Sequence, residues 1–223
     1  MQSSAVVAIL ALLIAIAEAG AQGFKFNQPD LEAQAEEEAK AQRIAQQLST
    51  PCRENLKGKK IMVVIGEESG GTISAQQQKY GPHFQAINTR LRALGLTTFT
   101  QEEIRRQIAQ AEIDAYFKND PDKALSAARR VGASFVLRGL ISSQAMQNQI
   151  IAVNQVSVNM GFVLTGNGKV ISDVNASSSS YAGADVAKMA LTLVNEQADE
   201  VVARLYSDYC TNAGLGAKAP ARK

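Results

Sequence analysis

The stretch Gln155–Tyr181, QVSVNMGFVLTGNGKVISDVNASSSSY, decides the fold. Its first half alternates apolar and polar residues, the period-two pattern of a strand with one buried face. The apolar positions are Val156, Val158, Met160, Phe162 and Leu164. Gly166-Asn167-Gly168 follows, and an Asn-Gly pair between such strands indicates a tight turn. We therefore expect an antiparallel hairpin that returns over Val170–Tyr181. Its other face, with Ser172 and Ser177–Ser180, is polar and suited to water or another chain.

Three more strands are predicted upstream of this hairpin. Lys60–Ile65 is a continuous β-branched run, typical of a strand covered by helices on both faces. Leu96–Phe99 and Ala133–Ser143 are the other two. Helical spacing or capping predicts helices at 80–94, 100–111, 120–131 and 184–209. The order β-α-β-α-α-β-β-β-α predicts an α/β (α+β) fold, with a mixed sheet of about five strands packed against helices.

Two helices flank this core in the sequence. The carboxyl-terminal helix carries a broad apolar stripe of Ala187, Leu191, Val194, Ala198, Val201, Val202 and Leu205. The helix over Asp30–Gln47 is rich in Ala and Glu and has only a thin apolar stripe. We expect the second helix to pack weakly, either apart from the main body or against a partner.

The amino terminus predicts export. Ala5–Ala17 is almost wholly apolar, short for a membrane span, and followed by small residues that fit a cleavage site. The preceding residues lack Lys and Arg, so an uncleaved anchor is the alternative. We expect a signal peptide over 1–21, a linker and helix over 22–50, a domain over 51–210 and a disordered tail over 211–223. The mature chain would then have no membrane span and lie in the periplasm or at the outer membrane.

The two cysteines fit that compartment. Cys52 and Cys210 are the only cysteines in the chain, and two cannot build a structural zinc site. In an oxidising compartment such a pair is expected to form a disulfide, with two separate buried thiols as the alternative. No Cys lies near the predicted cleavage site, so we expect no lipid attachment there.

Composition argues against several kinds of ligand. The net charge is +2 with Lys and Arg scattered, so we expect no nucleic-acid partner. Aromatic residues make up 5% of the chain and Trp is absent, which disfavours a groove for stacking sugars. The basic tail Lys218–Lys223 is expected to be solvated without a specific partner.

Candidate catalytic groups are few. Gly66–Gly71 follows a strand but lacks the spacing of phosphate-binding loops, and we expect a flexible loop there. His83 is the single histidine and has no evident nucleophile or carboxylate beside it in sequence. The pairs Glu67-Glu68 and Glu102-Glu103 are expected at the surface. We expect neither catalysis nor a cofactor or metal. Ser177–Ser180 is expected to alternate inside and out at a sheet edge that could dock a partner.

Asp122–Ser143 contains the sequence ALSAARRVGASFVLRGLIS over Ala124–Ser142. It resembles a stretch in a group of bacterial envelope domains that includes CsgG, the amino-terminal domain of TolB, flagellar assembly protein T and the lipoprotein activator of penicillin-binding proteins. The group's order of helix, central strand, hairpin and long final helix matches Lys60–Cys210. This chain lacks the lipobox Cys of the lipoproteins and an evident pair of long membrane hairpins. Flagellar assembly protein T fits those absences best, although its extra domains are not seen.

The resemblance implies a domain that acts by binding. We expect an exported, non-catalytic binding or scaffolding domain of the cell envelope. Its expected partners are envelope or surface-assembly proteins, with a homo-oligomer as a further possibility. The alternatives are a small secreted hydrolase with an unrecognised site and, less favoured because a single domain lacks a hinge, a periplasmic ligand-binding protein.

Overall fold

The computed structural model describes residues 31–69, 72–74, 81–99, 101–108, 117, 121–150, 153–182 and 185–213. The predicted signal peptide, its linker and the tail beyond residue 213 lie outside these residues. The helices are α1 Leu31–Leu48, α2 Arg53–Leu56, α3 Pro82–Ala93, α4 Gln101–Gln107, α5 Pro121–Arg130 and α6 Val186–Asn212. The strands are β1 Lys60–Ser69, β2 Thr72–Ser74, β3 Thr97–Thr98, β4 Phe135–Gln147, β5 Asn154–Gly166 and β6 Lys169–Ala182.

The strands form one mixed sheet in the order β2-β1-β4-β5-β6, with β3 beside the start of β1. β1 pairs in parallel with β3 and β4, whereas β2, β5 and β6 join antiparallel to their neighbours. The predicted α/β class and mixed sheet are confirmed. One detail is wrong: Gly66–Ser69 continue β1 instead of forming a loop. Backbone pairing with β4 and with β2 outweighs the local turn preference of these residues.

The sheet has a large core on one face and a small core on the other. On the first face α3 and α6 cover the longest run of buried side chains, including Val63, Leu137 and Phe162. On the second face α4 and α5 cover Met62, Val64 and Val136. β1 and the first half of β4 are therefore buried on both faces, which accounts for their unbroken apolar sequences. β5 and β6 are covered on one face, so their sequences alternate.

The predicted hairpin is present with its predicted apolar face. All five of its apolar residues on β5 are buried. Asn167 and Gly168 form the turn at φ values of 52° and 76°, the left-handed region that an Asn-Gly pair tolerates. The placement of Ser172 on the solvent-facing side is wrong. A register shift opposite Leu164 and Thr165 turns Ser172 toward the helices, where its hydroxyl donates to Asp208 Oδ2 at 2.5 Å.

Both flanking helices are formed. α6 buries most of the predicted stripe from Val194 onward, but near its start Ala187 is exposed and Ala190 and Leu193 are buried instead. α1 has no buried residue and lies against α6. Lys40 Nζ donates to the Glu196 carbonyl at 2.8 Å, and Arg43 forms an ion pair with Glu200 at 3.5 Å. The absence of buried residues fits weak packing, but the helix lies against α6 of the same chain and not apart from the main body, because its long side chains find polar partners on α6.

Arg90 ties α3 to α6. Its Nε and Nη2 atoms donate to the two carboxylate oxygens of Asp199 at 2.7 and 3.0 Å, and Nη2 also donates to the Asn195 carbonyl. The hydrogen bond from Arg90 lowers the pKa of Asp199 below its usual 3.8, against the opposing effect of burial and with help from the charges of Arg90 and Lys40. The two parallel hydrogen bonds have the bidentate fork geometry of a strong arginine–carboxylate pair.

Glycine at position 139 is required by close packing. A Cβ built there would collide with the ring of Phe162, which is fully buried, and would lie 3.2 Å from Ile65 Cγ1. We expect Gly139→Ala to lower the free energy of unfolding by about 1–3 kcal/mol, the range for overpacked cores. At Gly161, a Cβ would meet only the Asn175 side-chain oxygen at 3.1 Å. Urea denaturation should therefore show a much smaller loss for Gly161→Ala, and equal losses would contradict this account.

Asp199 should make stability depend on pH in the acid range. Because its pKa is lowered in the folded state, its ionised form stabilises the fold above 3.8, and this contribution is lost as the pH falls through the folded-state pKa. Asp199 is 57% exposed, so we expect Asp199→Asn to cost less than about 1 kcal/mol at neutral pH. Urea unfolding of both proteins at several pH values should show this difference vanish below the folded-state pKa. A difference that persists there would rule out the carboxylate as its source.

Candidate interaction surface

A disulfide between Cys52 and Cys210 joins the two ends of the fold. Their Cα atoms are 5.7 Å apart, 158 positions separate them in sequence, and both side chains are buried. The Tyr206 hydroxyl braces the same place, since it accepts from the Cys52 amide at 3.3 Å and donates to the Thr50 carbonyl. The segment that leads into β1 is thus fixed to the last turns of α6.

Removing this disulfide should destabilise the domain strongly. Loop-closure entropy for a bridge of this span gives an upper value of about 5 kcal/mol, and native disulfides commonly contribute about 2–5 kcal/mol. We expect the double variant Cys52→Ser/Cys210→Ser to lose stability within that range in urea denaturation. Tyr206→Phe is the matched control, which keeps the bridge and loses only two hydrogen bonds. Two titratable thiols in the non-reduced native protein would contradict the pairing.

Most of the outer half of the sheet carries no charge. Gly139–Gly168 contains no Asp, Glu, Lys, Arg or His, and neither does Val174–Ala182 on β6. These segments are the second half of β4, the turn after it, β5, and most of β6. Because Asp, Glu, Lys and Arg are mostly exposed in folded proteins, a half-exposed region without them is a distinctive property.

Polar side chains form rows across the uncovered face of this region. Strand register aligns Glu68, Ser142, Asn159 and Ser177 on four neighbouring strands. With Gly161 and Asn175 of the next row, they line a shallow groove of about 420 Å³. Neighbouring strands lie about 4.8 Å apart, so the row spans roughly 14 Å. The polar lining consists of neutral amides and hydroxyls with one carboxylate at the end, and Leu140, Met160 and Ala176 complete the groove.

Three large apolar side chains are exposed at the far end of the same strands. Met146 is 67% exposed, Ile150 92% and Tyr181 56%. Met146 and Tyr181 belong to one cross-strand row, since both align with Gln155 of β5. Ile150 lies in the turn between β4 and β5. This end of the β4–β6 region is therefore apolar and uncharged.

The serine run lies at a free edge of the sheet. Ser177 and Ser179 are exposed, and Ser178 and Ser180 are half-buried, which is the predicted alternation. β6 is the last strand of the sheet, and within the described part of the chain no strand pairs with its outer edge. From Val174 to Ala182 its outward backbone N–H and C=O groups are therefore available to another strand, whereas the Ile171 carbonyl already accepts from Asn212 Nδ2 at 2.8 Å.

The structure separates most of the ionisable candidates. Glu68 lines the groove, whereas Glu67 lies on the opposite face, where its Oε1 is 3.1 Å from His83 Nδ1. The sequence analysis missed the pair of Glu67 and His83. The only sequence signal for it is that Glu67 lies near the end of strand β1 and His83 in the first turn of the next long helix, α3. Glu103 is exposed, and the side chain of Glu102 lies outside the described set. No group of three His, Cys, Asp or Glu that could hold a metal ion occurs in the described ranges.

The described helices include none that is both long and apolar enough to cross a membrane. This finding concerns only the part of the chain that the structure covers; the apolar segment Ala5–Ala17 lies outside it.

Comparison with known proteins gives structural similarities but no family. No family model matches the sequence, and no curated protein matches it. The chain is similar to PelC from Paraburkholderia phytofirmans, solved as a dodecamer, with 18% identity over 67% of this chain and 88% of that chain and a TM-score of 0.40. A minor lipoprotein from Acinetobacter baumannii shows 12% identity over 69% and 94% of the two chains, with a TM-score of 0.40.

The carboxyl-terminal domain of LpoB from Salmonella enterica shows 16% identity over 60% of this chain and 91% of that chain, with a TM-score of 0.34. These similar structures are bacterial proteins, and lipoproteins are among them. Similarities of this size do not establish a common function. Membership of the CsgG and TolB group therefore stays a prediction from the sequence.

Proposed function

We propose that this chain is an exported, non-catalytic scaffolding domain of the bacterial cell envelope, which binds other envelope proteins through the uncharged outer half of its sheet. The observation that carries the proposal is the uncovered face of β4–β6, where a groove lies beside the exposed side chains of Met146 and Tyr181. These strands have no charged residue from Gly139 to Gly166 or from Val174 to Ala182.

The chemistry of this face suits a protein partner. The centres of protein interfaces are depleted in charged residues and favour Met and Tyr; this surface has no charge between Val174 and Ala182 and exposes Met146 and Tyr181. The groove side chains of Ser142, Asn159 and Asn175 offer donors and acceptors that neutral polar groups of a partner can satisfy. Because three paired strands hold these side chains, the face is rigid before binding, which reduces the entropy lost in the complex.

Export is supported by two separate features. The first residues have the pattern of a signal peptide, and a buried disulfide between distant cysteines is characteristic of oxidising compartments. The resemblance of Ala124–Ser142 to envelope domains that act by binding points to the same compartment. We place the mature protein in the periplasm or at the periplasmic side of the outer membrane.

A capture experiment tests this function. The chain is produced in the periplasm of its host with a carboxyl-terminal tag, and co-purified proteins are identified by mass spectrometry and then rebound with purified components. We expect Asn159→Arg, which places a cation in the groove, to weaken rebinding about tenfold or more, near 1.4 kcal/mol. Gln85→Arg adds the same charge on the exposed side of α3 and should bind like the unmodified chain.

Two outcomes would contradict the proposal. One is equal binding by the groove and α3 variants, which would place the partner elsewhere on the molecule. The other is the absence of any envelope partner together with hydrolysis of a generic ester or glycoside by the purified protein. The second outcome would favour the alternative of a small secreted hydrolase.

A further inference from the structure

The outer edge of β6 lacks the features that normally keep edge strands apart. Natural edges are protected by Lys, Pro, inward charges or bulges. On β6 the single Lys, the single Asp and the register shift all fall within Lys169–Asp173. From Val174 to Ala182 the strand has no charge, Pro or Gly and pairs with β5 in unbroken register. Most of this edge is therefore ready to accept another strand.

We infer that the occupant of this edge is a second copy of the chain, and that two β6 strands pair antiparallel across a two-fold axis to make one continuous sheet. The inference rests on the proposed function only in placing a binding surface on the outer half of the sheet. In a two-fold interface the same surface patch of both copies makes the contact. A charged residue near the axis therefore lies close to the identical residue of the other copy and is repelled by it. The neutral centre of β6 avoids that repulsion.

The ends of β6 are complementary to each other. Val170 is 64% exposed and Tyr181 is 56% exposed, and register places both on the uncovered face of the sheet. Full antiparallel overlap of two β6 strands brings Tyr181 of one copy to the Val170 end of the other, and the reverse. Aromatic and β-branched residues form favourable cross-strand neighbours. The same overlap keeps the two Asp173 carboxylates roughly 20 Å apart, beyond the screening length of about 8 Å at physiological salt.

A foreign strand is less well matched to this edge. Charge can make a strand specific for one foreign partner only if the two strands carry complementary charges. From Val174 to Ala182 β6 offers none, while its small side chains, Ala176 and Ser177–Ser180, permit close approach of an identical strand. Self-pairing satisfies the outward backbone groups of both copies at once.

Charge variants at the centre of β6 test the pairing. In full overlap, Asn175 and Ser177 of one copy lie beside Ser177 and Asn175 of the other. We expect the mature chain, with unmodified β6, to show twice its single-chain mass by light scattering, with reversible dissociation on dilution. The double variants Asn175→Lys/Ser177→Lys and Asn175→Glu/Ser177→Glu should each have the mass of one chain. Mixing them in equal amounts should restore the doubled mass, and added salt should weaken the mixed complex.

The matched control lies one strand inward. Ser157→Lys/Asn159→Lys puts the same charges on the same face of β5, away from the edge, and should leave the doubled mass unchanged. Circular dichroism and thermal unfolding check that every variant is folded. Amide exchange should slow on β6 as the concentration of the unmodified chain rises.

Each result decides the matter. A single-chain mass for the unmodified protein at all concentrations overturns the inference, as does a doubled mass that survives either charged β6 variant or is lost in the β5 variant. A single-chain mass with intact partner capture overturns self-pairing and leaves the proposed function standing. A doubled mass with no envelope partner does the reverse.

Discussion

Backbone pairing along both sides of β4 joins two halves of the sheet that differ in strand direction and in helix cover. On one side β4 runs parallel to β1, with helices on both faces; on the other it runs antiparallel to β5, with helices on one face only. At Gly139 the missing side chain admits the ring of Phe162 from β5. This contact lets the Phe162 ring pack over β4 in the large core, on the face opposite the groove.

The cover on the inner face keeps the outer face fixed. α6 packs across β5 and β6, and its end is tied to the segment before β1 by the disulfide and by Tyr206. Lys59, next to β1, adds a hydrogen bond to the Tyr209 hydroxyl at 2.9 Å. The helix is thus fixed to both the first and the last strands of the sheet. A binding surface built on strands that are held from behind in this way needs little rearrangement to receive a partner.

Much of the fold was predictable because the strongest local signals agree with the tertiary structure. The alternation over Val156–Leu164 and the Asn-Gly turn together specify register and buried face, and the apolar run of β1 specifies cover on both sides. What failed depends on distant partners. β2 exists because Glu67–Ser69 pair with Thr72–Ser74, and Ser172 is buried because one extra residue at Ile171 shifts the register. Neither event leaves a local pattern that distinguishes it from a loop or a plain strand.

The interaction surface was visible only in part. The serine run and the polar hairpin face were evident from spacing, but the groove depends on Glu68 of β1 lying in the same row as Ser177 of β6, three strands away. The order of strands in a mixed sheet is set by how helices cross over it, which no local spacing encodes. The contact between α1 and α6 has the same origin, because it relies on long side chains whose partners lie far along the chain.

The position of the two cysteines has a kinetic consequence. A chain made from its amino terminus presents Cys52 long before Cys210, and the fold holds the two sulfurs together once α6 lies against the start of β1. The parallel pairing of β1 with β4 is also distant in sequence and is expected to be slow relative to closure of the β5–β6 hairpin. We therefore expect the disulfide to lock the topology late in assembly. The β5–β6 hairpin is expected to form early and to expose the edge of β6 before the disulfide closes. Chains are therefore most prone to misassociation in the time between these two events.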